Sequence, residues 1–402
     1  MPNFKYETID ATGKPSKGVL EAPSISEAAK VLRADGRFIA HLAPDSGSVM
    51  NMKVGSGKLK TRDLMIICRQ MASLLGAGIT VIRSLDMLYQ QLENKNAKEV
   101  VGNIYESIQT GKTLSEAFRD QEKALPSIMI SLISAGEESG RLDEVMASLA
   151  IHFEKENKLR NKVAAAMVYP VILALLTFAI TIGLMVLVVP AFAKTLADLG
   201  TELPAITQIV LNLSNNIIDY WFIYVFVLAV VIIAFNMFKK SDKGGLMWDQ
   251  FKLKVPVVKK SIKMTAAARF TRTMSTLLRS GVNVLESLEI TSRTLGNRYL
   301  QARLYAARND IRKGLSLSRS IRNISELPNM ICAMIAIGEE SGTLDSILNR
   351  AADFFEEEAD AATAKMTAAM EPIMIIIMAI VVLTIVAACG APILAMSQSI
   401  MS

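Results

Sequence analysis

Two adjacent glutamates that occur twice in the chain are the residues whose type and spacing come closest to a catalytic site. Glu137 and Glu138 lie in the sequence GEESG, and Glu339 and Glu340 lie in a second GEESG. Paired carboxylates can act as general acid and base, but adjacent residues on a turn point apart, and no nucleophile accompanies them. An active site is needed once, whereas a turn that shapes a repeat must recur. The pattern therefore favours a helix-turn-helix elbow in each copy, with a repeated partner-binding edge as the alternative.

Motifs that would bind a nucleotide or a metal ion are incomplete. Gly111, Lys112 and Thr113 match the end of the phosphate-binding loop GxxxxGKT, but Glu106 occupies the position of its first glycine. The three cysteines and two histidines are far apart and include no CxxC spacing, so a structural zinc site is not expected. We therefore predict no cofactor, no metal site and no enzymatic activity.

Three segments without a charged side chain are long enough to cross a membrane. The chain is 51% hydrophobic and only 20% charged, which is too apolar for an ordinary soluble domain. The shortest uncharged segment has 19 residues, and a helix of that length spans about 28 Å, close to the thickness of the hydrocarbon core. We predict membrane helices at 167–190, 220–238 and 372–396.

Basic residues near these segments predict their orientation. Lysines and an arginine precede the first span, and eight lysines lie in 239–263 after the second. In contrast, 191–219 contains one basic residue, Lys194. By the positive-inside rule, the N-terminus is cytoplasmic, and 191–219 and the tail 397–402 are periplasmic. Because the excess basic charge lies next to the membrane, we expect anionic lipid headgroups, and no nucleic acid, to face it.

A large internal duplication organises the rest of the chain. With an offset of 203 residues, CRQMASLLGAG at 68–78 aligns with TRTMSTLLRSG at 271–281. With an offset of 202 residues, GEESGRLD at 136–143 aligns with GEESGTLD at 338–345. Apolar residues recur at helical spacing in each copy, with glycines where helices should stop. Each copy is therefore predicted to be a helical bundle followed by one membrane helix.

The predicted fold is mainly α, with two homologous cytoplasmic helical bundles, three transmembrane helices and a small N-terminal α+β module. The module is expected because short alternating segments and one capped helix precede a Gly- and Ser-containing stretch. The remaining predicted boundaries are the module at 1–44, a linker at 45–60, the first bundle at 61–166, and a basic juxtamembrane segment with the second bundle at 239–371.

These features resemble the inner-membrane platform family of type II secretion and type IV pilus assembly. The resemblance rests on the opening FKYETIDATGK, the RQMASLLGAG helix, the doubled GEESGxLD element and the three spans. It implies a scaffold that contacts a hexameric assembly ATPase, pilin or pseudopilin and other inner-membrane assembly proteins, and that forms a homo-oligomer. Pilus, secretion and competence systems all remain open. A small transporter or channel is the rival class. It would need polar or ionisable groups at membrane mid-depth, where the first span offers only Thr177 and Thr181.

The candidate partner-binding and structural residues fall at the two elbows, on two arginines and at one membrane border. They are Gly136, Glu137, Glu138, Ser139, Gly140, Gly338, Glu339, Glu340, Ser341, Gly342, Arg69, Arg272 and Glu371.

Both arginines of this set recur at equivalent repeat positions. We expect Arg69 to pair with one of the first elbow's two glutamates, and Arg272 with one of the second elbow's, since the acidic and basic members are duplicated together. Glu371 directly precedes the third span. It is predicted to receive the N-terminal amine of an incoming filament subunit, with contacts to water and lipid alone as the alternative.

Overall fold

The computed structural model describes residues 3–9, 15–21, 25–34, 38–44, 57–188, 190–191, 194 and 205–401. They belong to two compact units, which meet in sequence between Gly57 and Lys58. The first unit contains β1 (Asn3–Ile9), β2 (Pro15–Glu21), α1 (Ile25–Ala34) and β3 (Phe38–Pro44). Its sheet has the order β2-β1-β3, and both pairings are antiparallel. Most of the predicted linker, up to residue 56, lies outside the described residues.

The second unit begins with a bundle whose helices follow the predicted apolar periodicity. The helices are α2 (Thr61–Gly76), α3 (Val81–Gln91), α4 (Lys95–Gln109), α5 (Leu114–Asp120), α6 (Ser127–Ser139) and α7 (Leu142–Gly183). Large side chains from all six helices fill one core, among them Met71, Leu88, Ile104, Phe118, Met129 and Met146. The predicted capping box forms at the start of α5, where Thr113 and Glu116 each accept a hydrogen bond from the other's backbone amide.

Three helices lie between the two copies within the described stretch 205–252. They are α8 (Ala205–Asp219), α9 (Trp221–Lys240) and α10 (Asp242–Lys252). Part of the segment predicted as a loop is therefore helical, and α8 packs against the ends of the long helices through Val210 and Ile385. The hydroxyl of Ser214 donates to the carbonyl oxygen of Met185 at 2.5 Å. Met185 lies in a π-helical turn, Leu184–Val188, that continues α7.

The second bundle repeats the helix order of the first. Its helices are α11 (Pro256–Arg279), α12 (Val284–Thr294), α13 (Arg298–Arg312), α14 (Leu317–Arg322), α15 (Asn329–Ser341) and α16 (Leu344–Met401). The start of α12 lies 203 residues after that of α3, and the start of α16 lies 202 residues after that of α7. The predicted equivalence of the two bundles is thus confirmed in helix order.

Among the described residues, three helices are long and apolar enough to cross a membrane, as predicted. The spans lie within Leu142–Val188, Trp221–Lys240 and Leu344–Ala387. In both copies the last bundle helix continues into the apolar segment without a break, although α7 contains Pro170. Each bundle therefore shares one continuous helical backbone with its membrane helix.

Candidate functional site

The elbow of each copy is formed by the GEESG sequence at the end of α6 or α15. Gly140 and Gly342 take left-handed conformations with φ of 69° and 68°, which favour glycine at a helix C-terminus. Gly136 and Gly338 allow the next helix to approach closely. A Cβ at Gly136 would lie 2.9 Å from a methyl group of Val145, and one at Gly338 would lie 2.9 Å from the Cα of the first residue of α16.

The first glutamate of each elbow caps a neighbouring short helix. Glu137 accepts hydrogen bonds from the backbone amides of Leu114 and Ser115 at 2.7 and 2.9 Å. Glu339 accepts the equivalent bonds at the start of α14, at 2.5 and 3.0 Å. Burial alone would raise the pKa of Glu137, but the hydrogen bonds from Ser115 and Leu114 outweigh it and lower that pKa below its usual value. These carboxylates therefore satisfy amides that a helix N-terminus leaves without an internal partner.

The other polar elbow residues have different surroundings. Ser139 donates to the carbonyl oxygen of Ala135 at 2.7 Å, and Ser341 makes the equivalent bond to Ile337 at 2.8 Å. Glu138 and Glu340 are exposed. The structure thus gives a local role to four residues of each elbow. The second glutamates are exposed, and the Ser134 hydroxyl donates to Glu138 at 3.4 Å.

The predicted pairing of the arginines with the elbows is wrong. Arg69 forms an ion pair with Glu154 of α7. Arg272 donates to Glu356 at 2.7 Å, and its guanidinium also reaches Asp353 and Asn349 of α16 at 2.5 and 2.8 Å. Glu154 and Glu356 are equivalent repeat positions, so the pairing is duplicated, but with a different acid.

The cause of this error is the direction in which α2 and α11 pack. Each lies along the long helix that follows the elbow, so its arginine faces residues three turns into that helix. The first elbow glutamate is meanwhile held by two amides of the short helix. Glu154 and Glu356 are also duplicated acidic residues, so the sequence offered them as partners of the arginines. Duplication alone does not distinguish them from the elbow glutamates.

Contacts between the copies were not predicted from the sequence. Arg269 of α11 forms two hydrogen bonds with Glu156 of α7, at 3.1 and 2.6 Å. Lys155 lies 3.0 Å from a carboxylate oxygen of Glu356, and farther along α7 Lys162 pairs with Asp360 of α16. Partners therefore advance along α7 and α16 in the same direction, so the two helices run parallel.

The same two helices also meet at the predicted membrane border. Tyr169 donates a hydrogen bond to Glu371 at 3.5 Å, and these are equivalent positions of the two copies. Thr177 lies 3.9 Å from the sulfur of Met378 two turns farther along. Glu371 is exposed and occupies the junction between the charged and apolar parts of α16. The carboxylate thus lies beside the Tyr169 hydroxyl where the apolar part of α16 begins.

A cavity of about 550 Å³ lies between the two bundles and is lined by residues of both, including Arg119, His152 and Thr273. His152 is only 6% exposed, and its Nδ1 has no hydrogen-bond partner. Burial, with the charges of Arg272 and Arg269, lowers the pKa of His152 to about 4, so the imidazole is neutral at pH 7. Among the described residues, no cluster of three or more His, Cys, Asp or Glu is arranged to hold a metal ion.

Comparison with known proteins identifies the family to which this architecture belongs. The family model for "Type II secretion system (T2SS), protein F" matches residues 67–190 and 270–392, and the model of that family's N-terminal domain matches 1–42. The chain belongs to the type II secretion system protein F family. Membership confirms the predicted resemblance, and the doubled match coincides with the two copies seen in the structure.

Individual relatives of the protein F family are similar along nearly the whole chain. "Type IV pilus assembly protein PilC" of Thermus thermophilus is 36% identical over 96% of each chain. "Type IV pilus assembly protein PilC" of Myxococcus xanthus is 32% identical over 93% of this chain and 90% of its own. "Type II secretion system protein F" of Pseudomonas aeruginosa is 32% identical over 99% of each chain. These names describe components of assembly and secretion systems rather than enzymes, and with the three apolar helices they indicate an inner-membrane protein.

Proposed function

We propose that the chain is the inner-membrane platform of a type IV pilus or type II secretion machine. In this role it couples a hexameric cytoplasmic assembly ATPase to the insertion of pilin or pseudopilin subunits into a filament. The observation that carries the proposal is the family match in two copies, each of which joins a bundle to an apolar helix without a break. Bundles offer surfaces for a soluble motor, and the apolar helices offer a lateral face for a subunit's own membrane helix.

The proposed topology places the N-terminus and both bundles in the cytoplasm, and 191–219 and 397–402 in the periplasm. The lysine-rich ends of the first two spans support this orientation. The parallel course of α7 and α16 agrees with it, because two helices that enter the membrane from one side must run in the same direction. Cysteine-scanning with a membrane-impermeant maleimide checks it: cysteines introduced after residue 397 should be labelled from the periplasm, and those at Lys95 should not.

The exposed second glutamates of the elbows are the proposed contacts for a cytoplasmic partner. Glu138 and Glu340 are exposed on the last turns of α6 and α15, whereas the carboxylates of Glu137 and Glu339 accept hydrogen bonds from backbone amides. Reversal of charge at Glu138 should therefore weaken ATPase capture while leaving the fold intact. The same reversal at Glu137 should destabilise the bundle itself.

Glu371 is the proposed acceptor for the N-terminal amine of an incoming subunit. It stands beside an apolar helix, where a carboxylate attracts a cation more strongly than in bulk water. Because Tyr169 donates to it, the two variants Glu371→Gln and Tyr169→Phe separate its roles. Filament assembly should fall in Glu371→Gln and persist in Tyr169→Phe. Equal loss in both variants would instead assign Glu371 to holding α7 against α16.

Homo-oligomerisation is supported by a one-sided contact between the copies. Three apolar residues of the second copy, Leu277, Val282 and Ile290, join the core of the first bundle. Their equivalents in the first copy are only partly buried, and these are Leu74, Ile79 and Met87. A surface of this kind is open to a second chain, because a head-to-tail contact leaves one face uncovered. Native mass spectrometry should show an oligomer that Met87→Glu weakens.

Photo-crosslinking in cells that assemble the filament tests the platform role as a whole. A photoreactive residue at exposed Glu138 should yield an adduct with the assembly ATPase, and one at Leu383, which is 69% exposed in α16, should yield an adduct with pilin or pseudopilin. The crosslinked subunit identifies the machine as a pilus, secretion or competence system. Normal filament assembly in a strain that lacks the chain would contradict the proposal.

A further inference from the structure

A tight reversal joins the second membrane helix to a short amphipathic helix. Helix α9 ends at Lys240, and α10 begins at Asp242. Gly244 and Gly245 are buried at the crossing, and a Cβ at Gly244 would lie 2.2 Å from the carbonyl oxygen of Phe238. Only glycine permits this approach. Helix α10 is therefore held against the end of the span rather than hanging freely from it.

Aromatic contacts define the depth of α10 relative to the span. The rings of Trp248 in α10 and Phe235 in α9 meet edge to face with centroids 4.9 Å apart. Phe235 precedes Lys240 by five residues, which is about 7.5 Å along a helix axis. Interfacial helices bury their apolar face about 5–10 Å into the boundary between headgroups and acyl chains. Helix α10 thus lies at the depth of that boundary.

The outward face of α10 combines apolar and basic residues. Leu246, Met247 and Phe251 are 36%, 64% and 55% exposed, which is unusual for a soluble surface. Exposed lysines surround them: Lys239, Lys240, Lys243 and Lys254. The amine of Lys239 lies 5.4 Å from the centre of the Trp248 ring. Cations above an apolar face at this depth match a phosphate-bearing headgroup and its acyl chains.

The opposite face of α10 is fixed to the second bundle. The backbone amide of Arg298, the first residue of α13, donates to the carboxylate of Asp249 at 2.7 Å. The Asn297 side chain donates to the carbonyl oxygen of Asp249 at 3.1 Å. The Arg298 guanidinium also donates to the carbonyl oxygen of Ser241 at 3.1 Å, just after the end of α9. Whatever holds α10 at the membrane surface therefore also orients the second bundle.

We propose that the outward face of α10, with Lys240, Lys243 and Lys254, is a binding surface for anionic phospholipid. The lysine amines contact the headgroup phosphates, and Met247 and Phe251 enter the acyl boundary. Each lysine near a negatively charged leaflet adds to the attraction, so several on one rigid element enrich anionic lipid locally. The inference depends on α9 crossing the membrane and is independent of which filament the chain assembles.

Tryptophan fluorescence of the full-length chain tests this proposal. The chain has two tryptophans, and Trp221→Phe leaves Trp248 as the only reporter. The protein is placed in nanodiscs of phosphatidylcholine with a minor fraction of phosphatidylglycerol. Two samples are compared, one with brominated phosphatidylglycerol and one with brominated phosphatidylcholine, and the brominated lipid has the same mole fraction in both. Local enrichment predicts that brominated phosphatidylglycerol quenches Trp248 about twofold more than brominated phosphatidylcholine, and that high salt removes the difference.

Two variants that each lose three lysines test whether the lipid preference depends on the α10 surface or only on the net positive charge of the protein. The test variant changes Lys240, Lys243 and Lys254 to Gln. In this variant, the two brominated lipids should quench Trp248 equally. The control makes the same change at three exposed bundle lysines, Lys95, Lys123 and Lys313. The control should keep the twofold preference. The proposal would be overturned if both lipids quenched the Trp221→Phe parent equally. It would also be overturned if the test variant kept the preference for phosphatidylglycerol, or if the control variant lost that preference.

Discussion

Neutralising Glu356 should destabilise the second bundle much more than neutralising its repeat equivalent, Glu154, destabilises the first. Both glutamates receive an arginine from the first helix of their bundle. Arg272, however, is 9% exposed, whereas the Arg69 and Glu154 side chains are 58% and 49% exposed. The pair of substitutions Glu356→Gln and Glu154→Gln therefore compares one interaction in two environments within one molecule.

The expected loss of stability in Glu356→Gln follows from the burial of Arg272 and from the partners that Arg272 keeps. Burial opposes the charge of Arg272, but hydrogen bonds and charges from Glu356 and Asp353 outweigh it and raise the pKa of the guanidinium. Removing one partner of a fully buried ion pair costs about 3–5 kcal/mol. Since Asp353 and Asn349 still accept from Arg272, we expect about 2 kcal/mol for Glu356→Gln, in the range of charged hydrogen bonds. The exposed Glu154 pair should contribute at most about 1 kcal/mol.

Hydrogen exchange of the full-length chain in detergent measures both values in one experiment. A loss of about 2 kcal/mol speeds exchange of protected amides roughly 30-fold. That acceleration should appear in peptides of α11 and α16 around Arg272 for Glu356→Gln. In Glu154→Gln, the α2 peptides around Arg69 should change by no more than about fivefold. Equal acceleration in the two copies would refute the argument from burial.

Three further outcomes are expected for full-length variants in detergent. Glu137→Ala should lower the free energy of unfolding by about 1–2 kcal/mol through loss of a helix cap, with Glu138→Ala near zero in the same thermal-unfolding assay. Because the pKa of His152 is about 4 in the fold against 6.5 when unfolded, its contribution is complete above pH 6.5 and is lost as pH falls towards 4. Over that window wild type should lose about 3 kcal/mol more than His152→Phe, and parallel stability curves would contradict this. Gly338→Ala should cost about 1–3 kcal/mol and more than Gly136→Ala, because the added Cβ meets helix backbone rather than a side chain, and hydrogen exchange of α15 and α6 peptides checks the order.

The sequence predicted the features that depend on pattern alone. Helix order, the duplication and the three spans follow from periodicity and from missing charge, which act over many residues at once. The partner of Arg69 was missed because Glu137 and Glu154 are both duplicated acids, and only the direction of helix packing selects between them. Helix α8 and the fold-back of α10 were also missed, since each depends on a close contact with a distant helix: the hydroxyl of Ser214 on Met185 and the fit of Gly244 on Phe238.

A duplicated sequence does not produce two energetically equal copies, because the copies also contact each other. Glu156 and Lys155 of α7 reach Arg269 and Glu356 in the second copy, and this contact adds cover and charge around Arg272. The equivalent Arg69 remains largely exposed. The second bundle is thus anchored to both long helices and, through α10, to the second span as well. The first-bundle equivalents of the second-copy residues that join its core, Leu74, Ile79 and Met87, are only partly buried, so the contact between the copies covers different faces of the two bundles.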